Sequence, residues 1–123
     1  LEKEGMINEA IAVYEKAIIP QLPATHPYDR LMILYRKKRD YDNEIRIIKI
    51  AISVFMKENE RRAGRIIEED SSLYNQVMQA LETNESIRYE DGKWTFVQYD
   101  VMEYITRLEK AKKLLEKSKS TMN

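Results

Sequence analysis

The sequence predicts a mainly α fold: an antiparallel helical repeat (an α-α superhelix) with a small C-terminal β-hairpin and a capping helix. Three observations predict it. The stretch from Gly5 to Ile18 is answered 34 residues later by Arg39 to Ile52, with Ile11 falling on Ile45, Ala17 on Ala51 and Ile18 on Ile52. Where identity is lost the apolar stripe survives, because Ile7, Val13 and Tyr14 fall on Tyr41, Ile47 and Ile48. A period of this length marks a helix-turn-helix unit that cannot bury its apolar face alone and stacks on a neighbour. Second, 34% of residues are charged and there are only 3 Gly and 3 Pro, a composition suited to long amphipathic helices. Third, Asp91-Gly92 is a two-residue turn signal between short apolar-polar alternations, which reads as a hairpin.

Each element follows from local pattern. Met6 to Ile19 is an amphipathic helix, with Ile7, Ala10, Ile11, Tyr14, Ala17 and Ile18 at spacings of three and four. Pro20 and Pro23 stop it, since proline lacks the amide donor and clashes with the preceding turn. His26-Pro27 opens the next helix, with Pro27 at its first position, Asp29 near the positive end of the dipole, and Tyr28, Leu31, Met32 and Tyr35 facing inward. It ends near Lys38, and Asp40 or Asp42 caps the third helix.

That helix is apolar almost all round, at Ile45, Ile47, Ile48, Ile50, Ala51, Ile52, Val54 and Phe55, which implies contacts on two sides. The repeat then fails, because the positions that should match Tyr28, Leu31 and Tyr35 are Arg62, Arg65 and Glu69. A thin line of Ala63, Ile66 and Ile67 lets the helix run on, giving one helix over about 42–69. Ser71 or Ser72 caps a shorter helix carrying Leu73, Val77, Met78 and Leu81. Folding the hairpin (about 87–97) at Asp91-Gly92 pairs Glu90 with Lys93, Tyr89 with Trp94, Arg88 with Thr95 and Ile87 with Phe96. Asp100 caps the last helix, about 100–118, with a stripe of Val101, Tyr104, Ile105, Leu108, Ala111 and Leu115, and the residues from Ser118 fray. The organisation expected is residues 1–57 as helical repeats, one partial and one complete, and 58–123 as an extension packed as one domain.

Lys+Arg and Asp+Glu are both 21, so no net field draws the chain to nucleic acid or membrane. With no cysteine, disulfides and thiolate sites are excluded; no apolar run spans a bilayer and no signal peptide is visible, so a soluble, cytoplasmic protein is expected. The chain begins Leu1-Glu2-Lys3-Glu4 rather than with Met and reads as a fragment or a processed product.

The stretch Tyr28-x-x-Leu31-Met32-x-x-Tyr35, Asp40-Tyr41-x-x-Glu44-Ile45, Ala51-Ile52 resembles a tetratricopeptide repeat (TPR). Gly5-x-x-x-Glu9-Ala10-Ile11-x-x-Tyr14-x-x-Ala17-Ile18 is similar to the second half of a preceding one, so the resemblance covers about residues 1–55. The family usually has a small residue at the positions held here by Met32 and Glu44. The resemblance implies a protein- or peptide-binding scaffold whose groove is lined by His26, Asp29, Ile33, Arg36 and Lys37. The family's carboxylate clamp draws on successive repeats and cannot be assembled from one, although Arg36 and Lys37 keep a preference for acidic ligands.

Other readings are weighed on the residues themselves. Arg36-Lys37-Lys38-Arg39 and the cluster Arg61, Arg62, Arg65 offer the runner-up function, a nucleic-acid-associated regulatory domain; acidic neighbours and zero net charge count against it. His26 is the only histidine and lacks both a nucleophile and companion ligands. Glu68-Glu69-Asp70 lacks the loop spacing of a calcium site. No phosphate loop, paired-histidine motif or serine elbow appears, so no catalytic residue, metal ligand or cofactor is assigned and an enzyme is not expected. Tyr89, Trp94 and Phe96 form a candidate aromatic patch. Ile7, Ile11, Tyr14 and Ile18 lack a full partner helix, so self-association as a homodimer through this N-terminal face, or a missing parent domain, is expected.

Overall fold

The computed structural model describes the backbone of residues 2–88 and 94–121 and the side chains of residues 5–88 and 94–120. Along it run α1 (Glu2–Ala17), α2 (Thr25–Lys37), α3 (Tyr41–Glu69), α4 (Tyr74–Thr83), β1 (Ile87–Arg88), β2 (Thr95–Phe96) and α5 (Val101–Thr121). A single 3-10 turn, Ser71–Leu73, precedes α4. The third helix is continuous through its charged half, as its thin apolar line predicts. No helix among the described residues is long and apolar enough to cross a membrane. The chain divides into two compact units, one of Leu1–Val54 with Tyr104–Asn123 and one of Phe55–Glu103. The sequence grouped the whole last helix with residues 58–123; most of α5 belongs instead with the first unit, where its side chains meet α2.

In the first unit α2 starts at Thr25, two residues before the expected start, so Pro27 sits third in the first turn. That position still lacks an intrahelical acceptor, and proline is tolerated there for the same reason as at the first. Tyr28, Leu31, Met32, Leu34 and Tyr35 are buried, as are Ile47, Ile48, Ala51 and Val54 of α3. Side-chain bonds fasten α1: Glu15 accepts from Tyr35 Oη and from Arg46, and Asn8 Oδ1 accepts from Lys38 Nζ at 2.6 Å.

The α2–α3 turn has defined chemistry. Arg39 adopts φ 58°, its N–H donates to the Arg36 carbonyl at 2.9 Å, and the Asp40 N–H donates to the Tyr35 carbonyl at 2.9 Å. This pair of bonds closes the helix end on a left-handed residue, a place usually taken by glycine because a Cβ is disfavoured there. Asp40 then caps α3, accepting from the Asn43 N–H at 3.3 Å.

In the second unit Ala63, Val77, Ala80 and Phe96 form a buried core, with Ile66, Ile67, Leu73, Leu81, Ile87 and Trp94 packed on it. Asp70, not a serine, caps the turn into α4: its Oδ1 accepts from the Ser72 N–H at 3.0 Å and Oγ at 2.6 Å. A carboxylate is the stronger acceptor for these orphan donors, which explains the displacement. Met78, expected inside, is exposed. The two strands pair antiparallel with Ile87 opposite Phe96 and Arg88 opposite Thr95, the register the sequence predicts. The pairs Tyr89–Trp94 and Glu90–Lys93 and the turn Asp91-Gly92 lie outside the described residues.

Asp100 caps α5, accepting from the Glu103 N–H at 3.1 Å. The helix continues to Thr121 rather than fraying from Ser118. Ser118 Oγ donates back to the Leu115 carbonyl at 2.7 Å, and Lys117 and Lys119 favour the negative end of the dipole.

The left-handed Arg39 yields a direct test. Arg39→Gly relieves the Cβ without touching the core and should raise stability by about 0.5–1 kcal/mol, read as a higher urea midpoint at unchanged slope. An unchanged or lower midpoint would contradict the conformation described for this turn.

Candidate functional site

Several polar side chains gather in the first unit near the positions that the resemblance assigns to a groove. The turn just described sets Arg36, in the last turn of α2, opposite Glu44, in the first turn of α3. Each charge complements the end of the helix that carries it. Arg36 Nε donates to Glu44 Oε2 at 2.7 Å, and Nη2 lies 2.6 Å from the same oxygen. Glu44 is only 1% exposed, and its other oxygen, Oε1, has no hydrogen-bond partner among the described residues. Arg36 Nη2, though near Oε2, has no well-aligned acceptor either. A buried carboxylate oxygen left unpaired is costly, which makes this arrangement conspicuous.

These groups border a cavity of about 140 Å³ lined by Met32, Ile33, Arg36, Glu44 and Arg107. Arg107 comes from α5, where its Nη1 sits 3.3 Å from Met32 Sδ and 3.9 Å from Asp29 Oδ1. Tyr104 Oη donates to Asp29 Oδ1 at 2.8 Å. The five positions that the resemblance assigns to a groove therefore have different environments. Asp29 is engaged by α5. His26 is exposed and meets Tyr14, whose ring stands edge-on to it at 5.7 Å. Ile33 and Arg36 line the cavity, and Lys37 is exposed beside them. Glu44 and Arg107 were missed by sequence reasoning. Glu44 left a signal, since it occupies a position where the resembled family has a small residue; Arg107 left none, because nothing in its local sequence says which helix it meets.

On α1, Ile7, Ile11 and Tyr14 are half-buried, and Ile18, just beyond its end, is buried. The large apolar residues exposed on this helix are instead Met6 (68%) and Val13 (64%), on a neighbouring stripe. Ala17, expected on the inner face, is also exposed.

The second unit holds the other basic cluster, around a cleft of about 400 Å³ lined by Arg61, Arg62, Arg65, Ile66, Thr95, Phe96 and Val97. Arg61 is paired with Glu58, and Arg62 Nη1 donates to the Val97 carbonyl at 2.8 Å while its guanidinium lies 4.7 Å over the Tyr99 ring. Hydrogen bonding from Arg61 holds the Glu58 carboxyl below its ordinary value. Phe96 is fully buried in the core and Trp94 half-buried against it, while Tyr89 lies outside the described residues. Among the described residues no three His, Asp or Glu side chains gather as a metal site would require. Comparison with protein-family models, with curated proteins and with solved structures finds no match to this chain.

Two expectations follow. Arg36→Met strands Glu44 in the interior and should cost about 2–3 kcal/mol, while Arg36→Met with Glu44→Met together should recover most of that loss in a double-mutant cycle by urea denaturation. Burial, then the hydrogen bond to Glu15, pushes the Tyr35 hydroxyl up to about 12. Because the folded value lies above the unfolded one, this contribution is fully present below pH 10 and is lost as pH rises from 10 towards 12. Tyrosinate absorbance should therefore show a late-titrating component that Tyr35→Phe removes, and the alkaline fall in stability should become shallower in that variant.

Proposed function

We propose that the chain is a non-catalytic protein–protein interaction scaffold that binds a peptide through the tetratricopeptide-like groove face of α2. The observation that carries this reading is the cavity at Ile33 and Arg36, where two of the positions that the resemblance assigns to a groove line one recess together with Met32, Glu44 and Arg107. Short open recesses with a few convergent polar groups and apolar walls suit recognition of single side chains. The engagement of Asp29 by α5 narrows the groove to its Ile33–Lys37 end, so a short peptide is favoured over a long one.

The test is selection from a random displayed peptide library, followed by mapping of the selected peptide by backbone amide shifts. Perturbations should centre on Ile33, Arg36 and Lys37. Because Arg36 also holds Glu44, the informative variants are Ile33→Ser and Lys37→Glu, both at exposed positions. Each should weaken the selected peptide by about fivefold or more with helicity unchanged. Peptides that map wholly to the second unit, or that ignore both variants, would remove the groove reading.

A nucleic-acid-associated role is the second reading, favoured by the three arginines around the larger cleft. Two of them are already committed, to Glu58 and to the Val97 carbonyl with the Tyr99 ring, which reduces the charge left for phosphates. A steep salt dependence of oligonucleotide affinity would favour this role over the scaffold.

A further inference from the structure

We propose that α1 pairs antiparallel, about a two-fold axis, with the α1 of a second copy of this chain, through the stripe Met6, Ala10, Val13 and Ala17. This goes beyond the peptide-scaffold reading and does not depend on it.

The stripe follows from spacing. Steps of four, three and four residues keep these positions on one line of the helix, the repeat by which two helices stay in contact along their length. Met6 and Val13 are 68% and 64% exposed, Ala17 is exposed and Ala10 is half-buried. The opposite face is used within the unit, where Tyr14 meets His26 of α2 and Glu15 accepts from Arg46 of α3.

Size selects both the partner and its direction. Antiparallel pairing centred between Ile11 and Ala12 sets Met6 against the partner's Ala17 and Val13 against the partner's Ala10, so every layer joins a large side chain to a small one. Parallel pairing would set Met6 on the partner's Met6 and alanine on alanine, crowding two layers and leaving gaps in the other two.

Charge selects the same arrangement. Glu9 and Lys16 are exposed, lie on one flank of the stripe, and enter no ion pair among the described residues. In the antiparallel pair the partner's Lys16 comes level with Glu9 to about 3 Å along the axis, and the two-fold symmetry repeats the contact at the other end. A copy of the same chain is therefore complementary in size and in charge. The contact spans about 17 Å of helix and is smaller than the roughly 1,200 Å² of a standard interface. The dimer should accordingly be reversible, with a Kd of about 10–500 µM.

Sedimentation equilibrium of the wild-type chain, from about 5 µM to about 1 mM, should show this dimer. Val13→Gln, at an exposed position, should weaken it about tenfold or more with helicity unchanged, because each substitution acts twice in a symmetric pair. Glu9→Lys and Lys16→Glu should each weaken the dimer alone. An equimolar mixture of the two should associate about tenfold more tightly than either, since only the mixed pair sets Lys against Glu at both ends. That gain should fade in concentrated salt.

A monomer at every concentration would overturn the proposal and leave the stripe to a different partner. A dimer indifferent to Val13→Gln, or a mixture no tighter than its components, would overturn the pairing described. The double variant, Glu9→Lys with Lys16→Glu in one chain, reverses both contacts together and should match the wild type even where a single variant fails to fold; a double variant that stays monomeric would sink the charge argument and the two-fold register with it.

Discussion

The peptide group of Tyr99 is held on both sides by one buried amide. Asn59, on α3 and 2% exposed, accepts from the Tyr99 N–H at 2.8 Å and donates to the Tyr99 carbonyl at 3.1 Å. Asn84 adds a second donor to that carbonyl at 3.0 Å, and its own Oδ1 accepts from the Val101 N–H at 2.9 Å. Residues 97–100 are neither strand nor helix, so their backbone groups have no ladder to satisfy them. The two asparagines replace that ladder, and Arg62 does the same for the Val97 carbonyl. Without them a non-helical segment would be left with unpaired backbone groups, each costing about 1–3 kcal/mol where buried. The start of α5 depends on this, because its first amides are capped by Asn84 and Asp100. Phe55 packs against the Tyr99 ring at 4.6 Å and closes the apolar side of the same joint.

The first unit has a different logic. Its helical hairpin brings Arg36 and Glu44 together at the turn, where helix ends favour both charges. A buried pair of this kind is weak as a source of stability, since desolvating the two ions costs about as much as their attraction returns. Leaving Oε1 without a partner adds to the cost. A small residue at position 44 would avoid it.

Much of this was legible in local pattern. The helix over residues 41–69 follows from a continuous apolar line, and the Ile87–Phe96 register from alternation about a turn signal. Asp40 and Asp100 were readable as caps because capping is a matter of three or four neighbouring residues. The failures share a cause. Serine at 71 or 72 was expected to cap where Asp70 does, a contest between adjacent acceptors that spacing cannot decide. The candidate site was half visible: Ile33 and Arg36 are positions that the resemblance implies, whereas Arg107 lies far along the chain and joins them only through packing.

The sequence by itself determined the helices, their order, the register of Ile87 with Phe96 and most of the inward faces, though not at Ala17 or Met78, because each is encoded in periodicities and capping residues within a few positions of one another. Only the tertiary structure decided that α5 from Tyr104 onward joins the first unit, that Asp29 is occupied by Tyr104 and Arg107, and that Glu44 is buried beside Arg36. Those outcomes depend on which surfaces meet across long chain separations, and an amphipathic stripe specifies that a face is buried without specifying against what.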